Sequence, residues 1–217
     1  MLALWGIETN FGKNVGKMDI ISSLATLSFD KRRSEFFSKE LIILLKLIDQ
    51  KLIDVDTLYG SWAGAFGNFQ FMPSAIENYA IDYDKNNKIE LKQSLHDAIA
   101  SAANYLNKIG WKYQSSCFHK VELTKPISKK YINTSAKKIK NYRTIKLWKK
   151  RGIVDIEQIS DKNKAALVIP DLAVIGENEN SPAFLVFENY EKILKWNRSL
   201  RFGVTVCTLA NMIKNEI

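Results

Sequence analysis

The sequence predicts a mainly α protein of the α+β class, in which a helical body carries a small strand-rich insert. Two observations lead to this fold class. Apolar residues recur at helical spacing through much of the first 109 positions, and short β-type runs follow only after position 164. With 217 residues, 46% of them apolar and 25% charged, the chain has a globular composition and can bury a core.

Five segments are predicted to form helices. They cover 18–28, 34–52, a segment that starts at Pro73 and runs through Ala80, 94–109, and about 203–214. Ser34 is the expected N-cap of the longest helix, and Gly110 ends the fourth. The buried stripe of the longest helix is predicted to contain Phe37, Leu41, Leu44, Leu45 and Ile48.

Two short apolar runs predict strands in the second half of the chain. They lie at 165–169, stopped by Pro170, and at 184–187, with a turn over 176–182 between them. The predicted organisation has three segments: a helical core over 1–111, a basic strand-containing insert over 112–182, and a C-terminal segment over 183–217 that returns to the helical core.

Basic residues dominate one region. The net charge is +9, and eleven of the 27 residues from Lys125 to Arg151 are Lys or Arg. This run is either a solvated, weakly ordered face or a contact with an anionic polymer. Only Tyr131, Tyr142 and Trp148 interleave with it, and no nucleic-acid-binding motif is present, so we predict no nucleic-acid partner.

Several site classes find no support in the sequence. No run reaches the ~18–20 apolar residues of a membrane span. The two cysteines, Cys117 and Cys207, form no Cys-x-x-Cys pair, and the sequence leaves open whether they form a disulfide. His96 and His119 do not form a ligand pair, so neither zinc nor redox chemistry is indicated.

The first segment with chemical content is Leu4-Trp5-Gly6-Ile7-Glu8-Thr9-Asn10-Phe11-Gly12. On a helix Trp5, Glu8 and Phe11 share one face, because they are three residues apart. A carboxyl held against apolar rings tends to stay protonated near neutral pH, which a general acid requires. A lone Glu near a helix start is more often a surface residue than a general acid. A second motif favours the general acid here.

That second motif is Gly60-Ser61-Trp62-Ala63-Gly64-Ala65-Phe66-Gly67-Asn68-Phe69-Gln70-Phe71-Met72-Pro73-Ser74. Three glycines let backbone approach a ligand closely, and aromatic faces stack on sugar rings. Together the two motifs resemble the lytic murein transglycosylase B family, bacterial enzymes with a lysozyme-like core that cleave peptidoglycan. The resemblance continues at 24–29, 31–37, 97–105 and 195–199.

The resemblance implies a reaction. Family members are understood to use one Glu, so Glu8 is expected to act both as acid and as base. It would protonate the oxygen that links N-acetylmuramic acid (MurNAc) to N-acetylglucosamine (GlcNAc), and then take the proton of the C6 hydroxyl that attacks C1. The product is a 1,6-anhydro sugar, no water is consumed, and no cofactor is required.

The resemblance also implies substrate-binding residues. Ser61 and Gln70 match positions that contact sugar near the acid, although a cap and a core amide are the structural alternatives. Arg32 and Arg33 match an Arg pair, which would bind peptide or lactyl carboxylates if buried. Tyr105 matches an aromatic residue of the saccharide cleft, and Trp196 and Asn197 match a Tyr-Asn pair. Phe202 stands where the family has a Tyr and cannot donate a hydrogen bond.

The acidic segment 82–90 resembles a calcium loop, and some family members bind calcium there. The ligands would be Asp82, Asp84, Asn86, the Lys88 carbonyl and Asp97. Asn87 replaces the usual Gly but tolerates a left-handed turn, and Asp97 lies at position 16 rather than 12. The alternative is an acidic turn without metal.

The resemblance predicts peptidoglycan glycan strands as partner, a monomer, a periplasmic location and peripheral association with the cell envelope. Family members carry an export signal and a helical segment before this Glu, whereas here Met1 directly precedes the motif. The alternative to an active enzyme is therefore a truncated, inactive remnant that binds peptidoglycan.

Overall fold

The structure is a computed structural model that describes residues 1–172 and 182–216. It contains two compact units, Met1–Ile109 and Gly110–Ile217. No helix in this described part is both long enough and apolar enough to cross a membrane.

The first unit is helical. Its helices are α1 (Leu2–Thr9), α2 (Ile20–Phe29), α3 (Ser34–Asp49), α4 (Pro73–Tyr79) and α5 (Leu95–Lys108), with a 3-10 turn at Val55–Thr57. Strands β1 (Met18–Asp19) and β2 (Tyr59–Gly60) form a short antiparallel ribbon. The helices predicted from apolar spacing are therefore confirmed, with ends shifted by a few residues.

Local hydrogen bonds explain the shifted helix starts. Asp19 caps α2 by accepting from the Ser22 N–H at 2.6 Å, so the helix begins after the ribbon rather than at position 18. The predicted N-cap role of Ser34 is wrong. Ser34 lies inside α3, its hydroxyl donates to the Ser28 carbonyl, and Arg33 occupies the cap position.

The buried face of α3 also differs from the prediction. The buried positions are Phe37, Glu40, Leu44 and Leu47, whereas Leu45 is 48% exposed. Glu40 is buried because its carboxylate accepts from both the N–H and the hydroxyl of Ser74, at 2.8 and 2.7 Å. The hydrogen bonds from Ser74 thus allow a carboxylate to be buried in α3, whereas the apolar spacing predicted burial only of neighbouring apolar residues.

The second unit is built on a mixed sheet. Its strands are β3 (Phe118–Leu123), β4 (Ile132–Asn133), β5 (Arg143–Thr144), β6 (Ile153–Val154), β7 (Lys164–Val168) and β8 (Ala183–Val186). The order is β4-β7-β8-β3-β6, with β5 paired to β7. Helix α6 (Ile145–Lys150) lies within the strand region, and α7 (Glu188–Trp196) and α8 (Leu200–Glu216) follow it.

The core of this unit explains why the two strands could be predicted. Ala165–Val168 and all of β8 are buried, as expected for central strands with apolar runs. Trp148 of α6 is fully buried and donates its indole N–H to the Ala165 carbonyl at 2.9 Å. Cys117 and Cys207 form a disulfide, which settles the question that the sequence left open.

One predicted segment boundary cuts through the sheet. The sheet continues past the expected boundary at 182, because β8 lies between β7 and β3. Most of the predicted turn over 176–182 falls outside the described residues. The division into three segments, with 183–217 returning to the helical core, stays a prediction.

Candidate active site

Glu8 lies at the end of α1, where the chain leaves the helix. Asn10 adopts a left-handed conformation with φ 50° and donates its N–H to the Gly6 carbonyl at 2.9 Å, which closes the helix. Phe11 is also left-handed, with φ 57°. The Glu8 side chain is half-buried. A half-buried carboxyl directly before a sharp turn is held by the backbone yet open to a ligand.

The predicted shared helix face is only partly present. Trp5 and Glu8 are both in α1, but Phe11 lies beyond the helix end. Its ring nevertheless packs edge-on against Trp5, with ring centroids 5.4 Å apart. The aromatic surroundings of the motif are therefore produced by the turn rather than by helical periodicity.

Asn68 joins the Glu8 helix to the glycine-rich motif. Its side chain accepts from the Trp5 indole N–H at 3.0 Å and donates to the carbonyls of Leu91 and Lys92 at 3.0 and 3.2 Å. Its own carbonyl accepts from the Thr9 hydroxyl at 2.8 Å. Sequence reasoning missed Asn68 and Thr9 as positioning residues, although both lie inside the two quoted motifs.

Two glycines bring the neighbouring loops into contact. Gly16 has φ 86°, and a Cβ at this position would overlap the carbonyl of Gly60. The Gln70 amide donates to the Val15 carbonyl at 3.2 Å and to the Gly67 carbonyl at 3.0 Å. The loop after Glu8 is therefore held against both ends of the 60–71 motif, which places Gln70 next to it.

Ser61 begins a tight turn at the edge of the motif. Its Oγ accepts from the Ala65 N–H at 3.0 Å, and its N–H donates to the Ala65 carbonyl at 2.8 Å. Trp62 projects from this turn and is 68% exposed. Ser61 thus has the structural role of a cap, while the turn presents an aromatic ring to solvent.

A row of aromatic rings runs from the Glu8 helix to Tyr105. Adjacent centroids are 6.5 Å apart for Trp5 and Phe69, 6.3 Å for Phe69 and Phe71, and 6.1 Å for Phe71 and Tyr105. Tyr105 also stacks on Tyr79 at 4.3 Å. Burial raises the pKa of the Tyr105 hydroxyl, and Tyr79 adds to this effect, so Tyr105 stays neutral at physiological pH.

The structure does not bury the predicted arginine pair. Arg32 is exposed, and its guanidinium lies 3.6 Å from the carboxylate of Asp30, which is also accessible to solvent. Arg33 is exposed, and its guanidinium stacks over Phe36, 4.4 Å from the ring centroid. Because solvent screens exposed ion pairs, the Arg32–Asp30 contact contributes little to stability. Both guanidinium groups face solvent.

The remaining predicted sugar contacts belong to the second unit. Trp196 is the half-buried last residue of α7, and Asn197 is the exposed residue that caps this helix. Phe202 is half-buried in the first turn of α8. Their predicted part in saccharide binding stays a prediction.

The acidic loop after α4 gathers three carboxylates. Oxygen atoms of Asp82, Asp84 and Asp97 lie within 4.8 Å of one another. Asp97 is fully buried and accepts from the N–H groups of Tyr83 and Glu90, both at 3.0 Å. Such a set of hard oxygen donors fits calcium chemistry.

The acidic loop has the left-handed turn predicted at Asn87, and it contains a further carboxylate, that of Glu90. Asn87 has φ 66°, so it adopts the left-handed turn expected of it. The Asn86 side-chain nitrogen donates to Glu90 at 2.8 Å, and its oxygen accepts from the Lys88 N–H at 2.8 Å. Glu90 is a further carboxylate of the loop that sequence reasoning did not assign.

The helical fold around a half-buried carboxyl belongs to the lysozyme-like class of structures. The model of the family described as Transglycosylase SLT domain matches residues 1–211. The chain therefore belongs to this family, which confirms the resemblance found in the two motifs.

Individual relatives agree with this assignment. The membrane-bound lytic murein transglycosylase B of Escherichia coli K12 is 43% identical over 112 residues, which is 51% of this chain and 31% of that protein. The structure of SltB3 from Pseudomonas aeruginosa in complex with NAG-NAM-pentapeptide is 31% identical with a TM-score of 0.83, covering 97% of this chain and 55% of that one.

A second similar structure was solved with calcium. The Escherichia coli lytic transglycosylase Slt35 in complex with calcium is 29% identical with a TM-score of 0.80, covering 99% of this chain and 65% of that one. The present chain thus spans about a third of the curated relative and about half to two thirds of these two solved ones. The mainly helical, lysozyme-like fold class predicted from the sequence is confirmed.

Proposed function

We propose that this chain is a peptidoglycan lytic transglycosylase, which cleaves the β-1,4 bond from MurNAc to GlcNAc without water. The observation that carries the proposal is the placement of Glu8. Its helix is tied to the glycine-rich motif through Trp5, Thr9 and Asn68, and the following loop is tied to Gln70. This network fixes one carboxyl beside a rigid loop with an exposed aromatic ring.

Glu8 acts in two steps. The neutral carboxyl donates its proton to the glycosidic oxygen as the bond from C1 to that oxygen breaks, and the GlcNAc hydroxyl leaves. The acetamido oxygen of the substrate stabilises the positive charge that develops at C1. The Glu8 carboxylate then accepts the proton of the C6 hydroxyl as that oxygen bonds to C1, which gives the 1,6-anhydro-MurNAc end and restores the acid.

The absence of a second catalytic carboxylate in the two motifs supports this route. Glycosidases that use water employ a pair of carboxyl groups, whereas Glu8 is the one Asp or Glu within residues 1–18 and within 57–76. An intramolecular C6 hydroxyl needs no residue to position a water molecule. One group is therefore sufficient for both proton transfers.

We propose substrate contacts in each unit. In the first unit Ser61 and Gln70 contact the sugar next to Glu8, and Tyr105 contributes one end of the aromatic row. In the second unit Trp196 and Asn197 contact saccharide. Arg32 and Arg33 face solvent rather than being buried, so only a solvent-exposed pairing with substrate carboxylates is proposed for them. Because aromatic faces stack on sugar rings, the exposed Trp62 fits the same substrate class.

Calcium would bind in the acidic loop. Asp82, Asp84, Asn86, Asp97 and the Lys88 carbonyl would hold it, and the ion would neutralise three neighbouring carboxylates. Its role is structural rather than catalytic, since these residues lie outside both catalytic motifs. Added calcium should raise the melting temperature of the wild type, and the exposed Asp84→Asn change should abolish that increase. An unchanged melting temperature in wild type would refute the site.

The relatives also support proposals on location and partners. One is described as membrane-bound, and another was solved with a peptidoglycan fragment. We place this chain at the periplasmic cell envelope, as a monomer that acts on glycan strands.

A digest of purified bacterial sacculi, analysed by mass spectrometry, tests the proposal. Wild type should release anhydro-muropeptides, while Glu8→Gln should release at least about 10³-fold less, since it removes the proposed proton donor. Glu77→Gln is the matched control, because Glu77 is an exposed Glu of α4. If folded wild type released no product, the chain would be an inactive remnant that binds peptidoglycan at most.

A further inference from the structure

The net positive charge belongs entirely to the second unit. Residues 1–109 contain 12 Lys or Arg and 13 Asp or Glu, whereas residues 110–217 contain 20 and 10. The imbalance is strongest over 110–150, a segment that contains 12 Lys or Arg residues and one acidic residue, Glu122. The proposed catalytic unit is thus nearly neutral, and the other unit is a cationic module.

The fold gathers part of this charge into one place. Asn133 is buried and bonds with both backbone groups of Lys140, donating to its carbonyl at 2.9 Å and accepting from its N–H at 2.8 Å. Asn141 donates to the Lys130 carbonyl at 2.6 Å. These bonds close the 130–141 segment into a loop, in which the Lys130 carbonyl lies against the side chain of Asn141, the residue after Lys140.

Two arginines join the loop at Tyr131. The Arg151 guanidinium carbon lies 4.1 Å from the ring centroid, that of Arg143 lies 5.9 Å away, and the Lys130 Nζ lies 5.2 Å away. Three cations therefore surround one ring. The Nη1 atom of Arg151 is buried and has no hydrogen-bond partner among the described residues. We name Lys130, Lys140, Arg143 and Arg151 the Tyr131 cationic cluster.

We propose that the Tyr131 cationic cluster binds carboxylates of the peptide stems of peptidoglycan, and so holds the enzyme on the sacculus. This inference rests on the proposed function, which supplies a polymer with repeated carboxylates. A guanidinium fork matches a carboxylate bidentately, and stacking on Tyr131 fixes the orientation of the fork in advance.

The same geometry argues against single-stranded nucleic acid. Such binding needs aromatic faces on which bases stack. Tyr131 has cations packed over its ring, and Trp148 is fully buried. The cluster therefore offers charge without a stacking platform, which suits a flexible peptide with carboxylates.

The test measures binding separately from cleavage. Full-length Glu8→Gln protein, which leaves the polymer intact, is co-sedimented with sacculi and with glycan strands whose peptide stems an amidase has removed. We expect binding to sacculi that weakens as salt rises, and about tenfold weaker binding to the stripped strands. Equal binding to both polymers would overturn the proposal.

Three double variants on the Glu8→Gln background locate the effect. Arg143→Gln with Arg151→Gln should weaken binding about tenfold. Lys130→Gln with Lys140→Gln changes exposed side chains, so it should weaken binding severalfold without disturbing the fold. The control is Lys46→Gln with Lys51→Gln, which removes the same charge from exposed positions of the first unit and should bind as the parent does.

The remaining outcomes each decide against the cluster. If the control pair lost as much binding as the cluster pairs, net charge alone would be responsible. Tighter binding to RNA or to anionic phospholipid vesicles than to sacculi would assign the cluster a different partner. If Glu8 were not the catalytic acid, the Glu8→Gln protein would release soluble muropeptides into the supernatant of the binding assay. The difference between the cluster pairs and the control pair reports binding alone, so the two failures can be told apart.

Discussion

Replacing Asn68 with Ala tests whether the hydrogen bonds of one buried amide position the Glu8 helix. The side chain makes three hydrogen bonds, to the Trp5 indole and to the carbonyls of Leu91 and Lys92. The Leu91 carbonyl keeps a second partner, because it also accepts from the Asn68 backbone N–H at 2.8 Å. The indole loses the acceptor that Asn68 provides.

At about 1 kcal/mol for each lost bond, and less for the carbonyl that keeps a partner, Asn68→Ala should lower the free energy of unfolding by about 2–3 kcal/mol. For a chain of this size the melting temperature should fall by about 5–10 °C. Urea titration and thermal melts followed by circular dichroism measure both quantities. Activity on sacculi at a temperature where the variant is folded should also fall, because the Trp5 end of α1 loses its anchor.

Asn78→Ala is the matched control for this experiment. Asn78 is exposed and makes one local bond to the Ser74 carbonyl at 2.7 Å, so its loss should change stability by less than about 0.5 kcal/mol. If Asn68→Ala were no more destabilising than this control, the buried amide would not tie the two motifs together, and the argument for a pre-positioned Glu8 would fail.

Three further predictions concern other parts of the molecule. Gly16→Ala should reduce both activity and stability, because φ is 86° at this position and a Cβ would overlap the Gly60 carbonyl. Gly110→Ala is the control for backbone strain in kinetic and melting assays, because φ is also 86° there but the nearest atom to a Cβ would be 3.5 Å away. Burial lowers the pKa of His119, so the folded state binds a proton at this residue less readily than the unfolded state does. The free energy of unfolding should therefore decline as the pH falls below about 6.5. His119→Gln should reduce this pH dependence in thermal melts between pH 5 and 7.5. Reducing the Cys117–Cys207 disulfide, which spans 90 positions, should destabilise the second unit by about 3–5 kcal/mol in urea titration, and Cys117→Ser with Cys207→Ser should lose the response to reductant.

Apolar periodicity predicted the helices because most of their buried positions are aliphatic. It failed where a polar residue occupies the core. Glu40 and Asp97 are buried through hydrogen bonds to backbone N–H groups far away in sequence, at Ser74 and Tyr83 respectively. Such pairings depend on tertiary contacts, and no local pattern reports them.

The candidate site shows the same limit. The motif around Glu8 could be recognised from its letters, and its aromatic surroundings could be predicted. The bonds that Asn68 and Gln70 make, however, join segments more than 50 residues apart. The exposure of Arg32 and Arg33 could not be predicted either, because a run of basic residues has the same sequence whether it is exposed to solvent or lines a cleft.

The most direct test of the central claim is a digest of sacculi by wild-type protein in water enriched with ¹⁸O. Attack by the C6 hydroxyl of the sugar consumes no water. The account therefore predicts anhydro-MurNAc ends whose mass shows no ¹⁸O. Reducing MurNAc ends that carry one ¹⁸O atom would show that water attacks C1, and would contradict the assignment of both proton transfers to Glu8 alone.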